Sequence, residues 1–336
     1  MGRNQGVLSD HEIRALFEAG QIIADYRSDM RAVQPASLDL RLGDIAFRVR
    51  ASFLPGKDRS VEATLAEPGL QMHKVDLTSG AVLETGCVYI VPMQERLLLS
   101  DDISGRANPK SSTGRIDVFT RVVTDKGEAF DDVPAGYKGP LFLEISPRTF
   151  SILARSGDTH AQLRLRRGSA PDTHEKTVSI DLHDDHGGPV GWRAKRHAGV
   201  VDLHGIGAHD PKEFWEPVHP SRGRIVLNPE EFYILASRET VQVPNLEAAE
   251  MAPIAPELGE FRAHYAGFFD PGFGTNDGGS RAVLEVRSRD VPFILEHGQP
   301  VAKLVYEPMA TAPDAPYGGA GSNYQGQGLK LSKHFR

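Results

Sequence analysis

The chain has 336 residues, 40% of them hydrophobic and 25% charged, which is ordinary globular material and long enough for two domains. A formal net charge of -7 argues against DNA or RNA as a partner, no apolar run reaches the length of a membrane span, and Met1-Gly2-Arg3-Asn4-Gln5 lacks the apolar core of a signal peptide. The single cysteine, Cys87, excludes an internal disulfide framework, so a reducing, cytoplasmic location without nucleic-acid or membrane partners is expected.

In chain order, Ser9-Asp10-His11-Glu12 has the form of a capping box, and Ile13, Leu16, Phe17 and Ile22 follow at helical spacing, so one N-terminal helix is expected. Beyond it the apolar residues alternate or form short runs: Ser37 to Gly43, Cys87 to Val91, Leu141 to Ile145 and Phe150 to Leu153. The 34 Gly and 23 Pro punctuate these runs at the spacing of a barrel or sandwich, which predicts a mainly β fold with a short N-terminal helix.

Several of these runs recur. Leu141-Phe142-Leu143-Glu144-Ile145 has a counterpart in Ala282-Val283-Leu284-Glu285-Val286, and the same offset of 141 residues separates Gly157 from Gly298 and Leu163 from Leu304. A fixed offset over three blocks predicts two tandem copies of one β domain, over residues 1–167 and 176–336, joined by a polar stretch from Arg166 to Lys176.

The copies are equipped differently. The first holds Lys110-Ser111-Ser112-Thr113-Gly114-Arg115, where two hydroxyls, turn N–H groups and two cations suit an oxyanion such as a phosphate chain, although Ser, Gly and Lys are also common in turns. The aligned segment of the second, Ile254 to Gly259, lacks these groups. Only the second carries Ala266-Gly267-Phe268-Phe269-Asp270-Pro271-Gly272-Phe273-Gly274 and a tail with Tyr317-Gly318-Gly319 and Asn323-Tyr324-Gln325-Gly326-Gln327. One copy thus offers anion-binding groups, the other carboxylates and a Gly-rich lid.

Two rival site types lack their residues. A zinc deaminase site needs more than one cysteine or a spaced His set, and His183, His186, His197, His204 and His209 lie in a Gly- and Asp-rich stretch without fixed ligand spacing. Gly318 to Ser322 has no Gly-Lys-Ser/Thr ending, so a P-loop is not supported.

Together, Pro35 to Gly43, the Lys-Ser-Ser-x-x-Arg block, Asp270-Pro271-Gly272-Phe273 with Leu284-Glu285, and Tyr324-Gln325-Gly326-Gln327 with Ser332-Lys333 resemble the dCTP deaminases, relatives of the trimeric dUTPases. The resemblance implies distorted β-barrels, here two in tandem, with sites at barrel seams and hydrolytic, zinc-independent deamination of dCTP to dUTP and ammonia, which supplies dUTP for thymidylate synthesis. It places Lys110, Ser111, Ser112 and Arg115 on the triphosphate and its surroundings, Ala266 and Asp270 near the base and deoxyribose, Tyr317 and Gln327 in the tail over the nucleotide, and Glu285 as general base. It further implies Mg²⁺ carried by the triphosphate, dTTP as a candidate feedback inhibitor, and a homo-oligomer.

The chain departs from the family's pattern. Lys110 stands where Arg is usual, Phe268 where many relatives have Arg, and Asn323 where a Lys commonly precedes Tyr-Gln-Gly-Gln, which leaves Lys330 or Lys333 to take over that contact. About five extra residues separate Asp270 from Glu285. Ala266-Gly267 is more like the bifunctional deaminase–dUTPase relatives. Three readings stay open: a deaminase, a dUTPase or bifunctional enzyme, and a non-catalytic nucleotide-binding regulator. The chemistry itself asks for a base that takes the proton of attacking water and an acid that protonates the ring and leaving group, jobs one carboxylate in a partly dry pocket can do in turn, and the apolar neighbours of Glu285 supply such surroundings.

Overall fold

The computed structural model describes residues 5–24, 30–169, 173–184, 188–254, 261–264, 267–275, 278–288, 290–318 and 326–336, with the backbone alone described at 261–264. The chain is mainly β and forms two tandem distorted barrels whose sheets repeat one another. In the first, Lys138–Pro147 pairs antiparallel with Val88–Leu98, which pairs in turn with Ile45–Val49. In the second, Ser280–Ser288 pairs with Phe232–Val241, and that strand with Gly191–Ala194. Likewise Thr159–Arg167 lies between Ile103–Pro109 and Ser37–Arg41, and Pro300–Pro308 between Glu247–Pro253 and His174–Ser179. The offset in sequence is therefore a repeat of strand order.

The N-terminal helix spans Asp10–Glu18, buries Ile13 and Leu16, and is closed by the Ser9 N–H donating to Glu12 Oε2 at 3.2 Å. Glu12 also accepts from Arg167 at 2.6 Å, so the cap fastens the helix to the end of a barrel strand. Among the described residues no helix is long and apolar enough to cross a membrane.

Of the eight described residues in the polar stretch Arg166 to Lys176, five are strand. Arg166 and Arg167 finish Thr159–Arg167 and His174 opens His174–Ser179, while 170–172 lie outside the described residues. Its polarity has a physical reason: Arg166 is ion-paired with Glu307 of the other barrel, and Lys176 sits over the Tyr306 ring.

The halves interlock along a seam. Val7 bridges to Met309 and packs with Ala36, Ala248 and Met309, and Gly6, at φ +129°, fits where a Cβ would meet Pro308 O at 2.5 Å. Ile152–Ala154 of the first barrel takes Val201–Asp202 as a parallel neighbour. The larger core cluster, centred on the first barrel, runs across to Trp215, Phe232, Ile234, Val283 and Phe335.

Candidate active site at the barrel seam

The pleat of Ser280–Ser288 decides what reaches the seam. Ala282, Leu284 and Val286 point into the second barrel's core, so Val283, Glu285 and Arg287 face the first barrel. Glu285 is buried, and burial pushes its carboxyl up to about 8, against the opposing pull of the Arg115 guanidinium, whose Nε lies 4.0 Å from Glu285 Oε1. At that separation the two are not hydrogen-bonded.

Arg115 reaches this place through local chain geometry. Pro109 ends a strand, Lys110 is extended at φ -69° and ψ 142°, Ser111–Gly114 make one helical turn, and Arg115 closes it. Its guanidinium donates to Lys330 O at 2.9 Å and to Gln327 Oε1 at 3.0 Å, which fixes the C-terminal tail against the first barrel. Gln327 Nε2 donates to Arg281 O at 3.1 Å, and Ser332 Oγ donates to Ser112 O at 2.8 Å. The tail closes with Phe335 edge-on to Phe214 and Trp215. Lys110 is ion-paired with Asp39 and donates to Thr159 Oγ1 at 3.1 Å, and burial with the nearby Lys110 charge pulls Lys333 below the usual lysine range.

Asp270 directly follows the strand Phe268–Phe269, where burial raises its carboxyl to about 6 despite the Arg164 guanidinium 3.6 Å away. Its Oδ1 has no hydrogen-bond partner. Arg164 is itself buried, stacked on Phe268 at 3.9 Å and donating to Ala249 O at 3.0 Å and Phe269 O at 3.3 Å. Burial pulls its guanidinium below the usual range.

A cavity of about 560 Å³ gathers these groups. Lys110, Ser111, Ser112, Arg115, Asp270, Glu285, Tyr317 and Gln327 all line it, together with Lys333 and an apolar wall that includes Met251, Phe268, Phe273 and Val283. Both sides of the seam come from one chain. Ala266 lies outside the described residues, as do His186, Asn323, Tyr324 and Gln325, while Gly267 lines the cavity. Lys330 contributes its carbonyl to Arg115, and Lys333 rather than Lys330 lines the wall. Of the other named histidines, His204 meets Asp158, His183 lies beside His297, and the His209 ring accepts from Asp202 N.

Several contributors were not singled out in the sequence. Gln162 and Arg164 share a face of Thr159–Arg167 opposite the core residues Leu163 and Leu165, a polar face with the pattern of a solvated one. That alternation is the available signal, and only the second barrel makes it a seam. Glu144, the first copy's counterpart of Glu285, is clasped instead by Arg121 at 2.6 and 3.0 Å and by the Ser52 hydroxyl.

Tandem distorted barrels enclosing an oxyanion-suited, carboxyl-bearing cavity at their seam define a protein of the dUTPase-like class. Within that class the chain belongs to the 2'-deoxycytidine 5'-triphosphate deaminase family, whose N-terminal domain is matched over residues 4–169 and C-terminal domain over residues 155–335. It is similar to a crystal structure of 2'-deoxycytidine 5'-triphosphate deaminase from Agrobacterium tumefaciens, with 52% identity and a TM-score of 0.88 over 93% of this chain and 100% of that one. Among curated proteins, "dCTP deaminase, dUMP-forming" of Mycobacterium sp. (strain KMS) is 33% identical over 178 residues, 50% of this chain and 84% of the relative. The protein of the same name from Methanobrevibacter smithii is 31% identical over 143 residues, 42% of this chain and 69% of the relative.

Proposed function

We propose that this chain hydrolyses the 4-amino group of dCTP, giving dUTP and ammonia without zinc and so supplying dUTP for thymidylate synthesis. The observation that carries the reading is the buried Glu285 carboxyl, raised to about 8 and facing Arg115 in a cavity that also holds Lys110, Ser111 and Ser112. The ionised carboxylate takes one proton from water as its oxygen bonds to C4 and delivers it to ring N3, then takes the second from the new C4 hydroxyl and delivers it to the amine, so that C4=O forms as the C4–N4 bond breaks and ammonia leaves. Ser111, Ser112, Arg115 and Lys110 hold the triphosphate, which carries its own Mg²⁺. Asp270 and Ala266 contact sugar and base, and Tyr317 and Gln327 belong to the covering tail.

A second reading extends the first. The curated relatives' names include formation of dUMP, and Asp270, which lines the cavity with Arg164 3.6 Å from its Oδ1, suits a group that orients water toward the phosphates. Incubation with dCTP and separation of dUTP, dUMP, diphosphate and ammonia tests both. Ammonia with dUTP supports the main reading, ammonia with dUMP and diphosphate the bifunctional one, and nucleotide binding without ammonia would make the chain a regulator. Activity should survive a zinc-selective chelator; inactivation rescued by zinc would overturn the zinc-free mechanism.

A further inference from the structure

Two residues beyond each member of the Arg115–Glu285 pair stands a residue of the opposite charge. Asp117 follows Arg115 and Arg287 follows Glu285, so Arg-x-Asp on one barrel faces Glu-x-Arg on the other. The outer pair is intimate where the inner pair is loose. Arg287 Nε donates to Asp117 Oδ1 at 3.2 Å and its Nη2 to Asp117 Oδ2, a bidentate clasp, while Nη1 donates to Glu230 O at 2.8 Å and Nη2 to Thr149 Oγ1 at 2.8 Å. Thr149 donates a further hydrogen bond to Asp117, which is fully buried. Neither residue lines the cavity.

Asp117 also sits at φ +55°, a left-handed conformation that glycine adopts without cost. Arg287 shares a strand face with Glu285, and a guanidinium there without Asp117 would be drawn to the Glu285 carboxylate.

We propose that Asp117 and Arg287 are positioning residues for the deamination, a cross-barrel clamp that fixes the register of Ser280–Ser288 against the turn after Ser111–Gly114 and keeps Glu285 4.0 Å from Arg115 rather than paired with Arg287. This rests on the deaminase reading above. Among the residues with described side chains, the charged groups whose fields bear on Glu285 are Arg115 and Asp117, both from that turn and acting in opposite directions, while in the backbone register His264 of the neighbouring strand stands directly opposite Glu285. Removing either half of the clamp therefore has a signature of its own sign. Arg287→Gln unmasks the Asp117 charge and moves the Glu285 midpoint up; Asp117→Gly, which suits the backbone, releases Arg287 toward Glu285 and moves it down.

The test is the pH dependence of kcat/KM on dCTP for the full chain, together with ¹³C-carboxyl titration of Glu285, which needs no turnover. Opposite shifts of about half a unit or more are expected, with kcat lowered about tenfold and KM within about twofold. Arg287→Lys keeps the charge and should hold the wild-type midpoint even if Arg287→Gln folds poorly. Unmoved midpoints, shifts of one sign in both variants, or Arg287→Lys shifting as far as Arg287→Gln would overturn the clamp. A wild-type chain that titrates at Glu285 but releases no ammonia from dCTP would instead overturn the deaminase reading, leaving the titration to decide whether the clamp exists.

Discussion

Two glutamates occupy equivalent strand positions and differ in what surrounds them. Glu144 is neutralised by Arg121, whose guanidinium also stacks on Phe130 at 3.5 Å, whereas Glu285 meets Arg115 only at 4.0 Å and is raised to about 8. Glu285→Gln, nearly isosteric but unable to take a proton, should lower deamination by at least about a hundredfold while nucleotide binding persists. Glu144→Gln should cost far less activity, and its effect should appear in thermal stability, because Arg121 loses a buried ionic partner. Comparable activity losses in both variants would refute this division of labour.

The raised Glu285 carboxyl also has a signed stability effect. Below the unfolded-state value of 4.5 both states hold the proton; from there to about 8 the folded state keeps a proton that the unfolded chain releases, so stability falls as pH rises through that window. Glu285→Gln should therefore melt above wild type at neutral and mildly alkaline pH and lose that advantage near pH 4.5. In parallel, wild-type kcat/KM should climb with pH to a midpoint near 8, since only the ionised carboxyl accepts a proton.

At the scale of elements, the loop Asp270-Pro271-Gly272-Phe273-Gly274 shapes the cavity through two glycines. Gly272 has φ +92° and lies against Tyr317, where a Cβ would meet Tyr317 O at 2.8 Å; Gly274 has φ +67° and a Cβ there would run into Val241 O. Gly274→Ala should destabilise the protein by at least about 1–3 kcal/mol and reduce activity, measured by calorimetry and ammonia release. A variant that melts and turns over like wild type would show that the loop relaxes freely.

Elements also show what the sequence could and could not reveal. Strand periodicity and the fixed offset were legible because each strand's inward face is set by its own barrel, as Leu163 and Leu165 or Leu284 and Val286 show. The seam was legible only where it carries unusual groups, as in Ser111, Ser112 and Arg115. Arg164, Asp39 and the Asp117–Arg287 pair stayed hidden: an outward polar residue has the same pattern whether it faces water or another barrel. Its partner lies far along the chain, 106 residues on in the case of Asp270 opposite Arg164, and local spacing holds no record of that distance.

For the whole molecule, one chain supplies both Arg115 and Glu285 to the same cavity, so each half expressed alone should be inactive even if folded. Mixing Arg115→Ala chains with Glu285→Gln chains should recover no activity despite proven subunit exchange, because every cavity still lacks one group. Recovery would mean that working sites draw the two groups from different chains. Arg115→Ala should act chiefly on KM, with a further loss from freeing the tail that Gln327 and Lys330 anchor.

The Arg121 clasp on Glu144 has a genetic consequence. Were one barrel to serve in both roles, every codon would answer to two surfaces at once, and a cation placed beside the strand carboxylate would silence each site it touched. With the two barrels encoded separately, each glutamate answers to its own surroundings: at 144 a close ion pair with Arg121, at 285 a separation of 4.0 Å from Arg115. Libraries of substitutions around the two glutamates should therefore accept opposite charges, and that divergence is inherited as ordinary point mutation within a single reading frame.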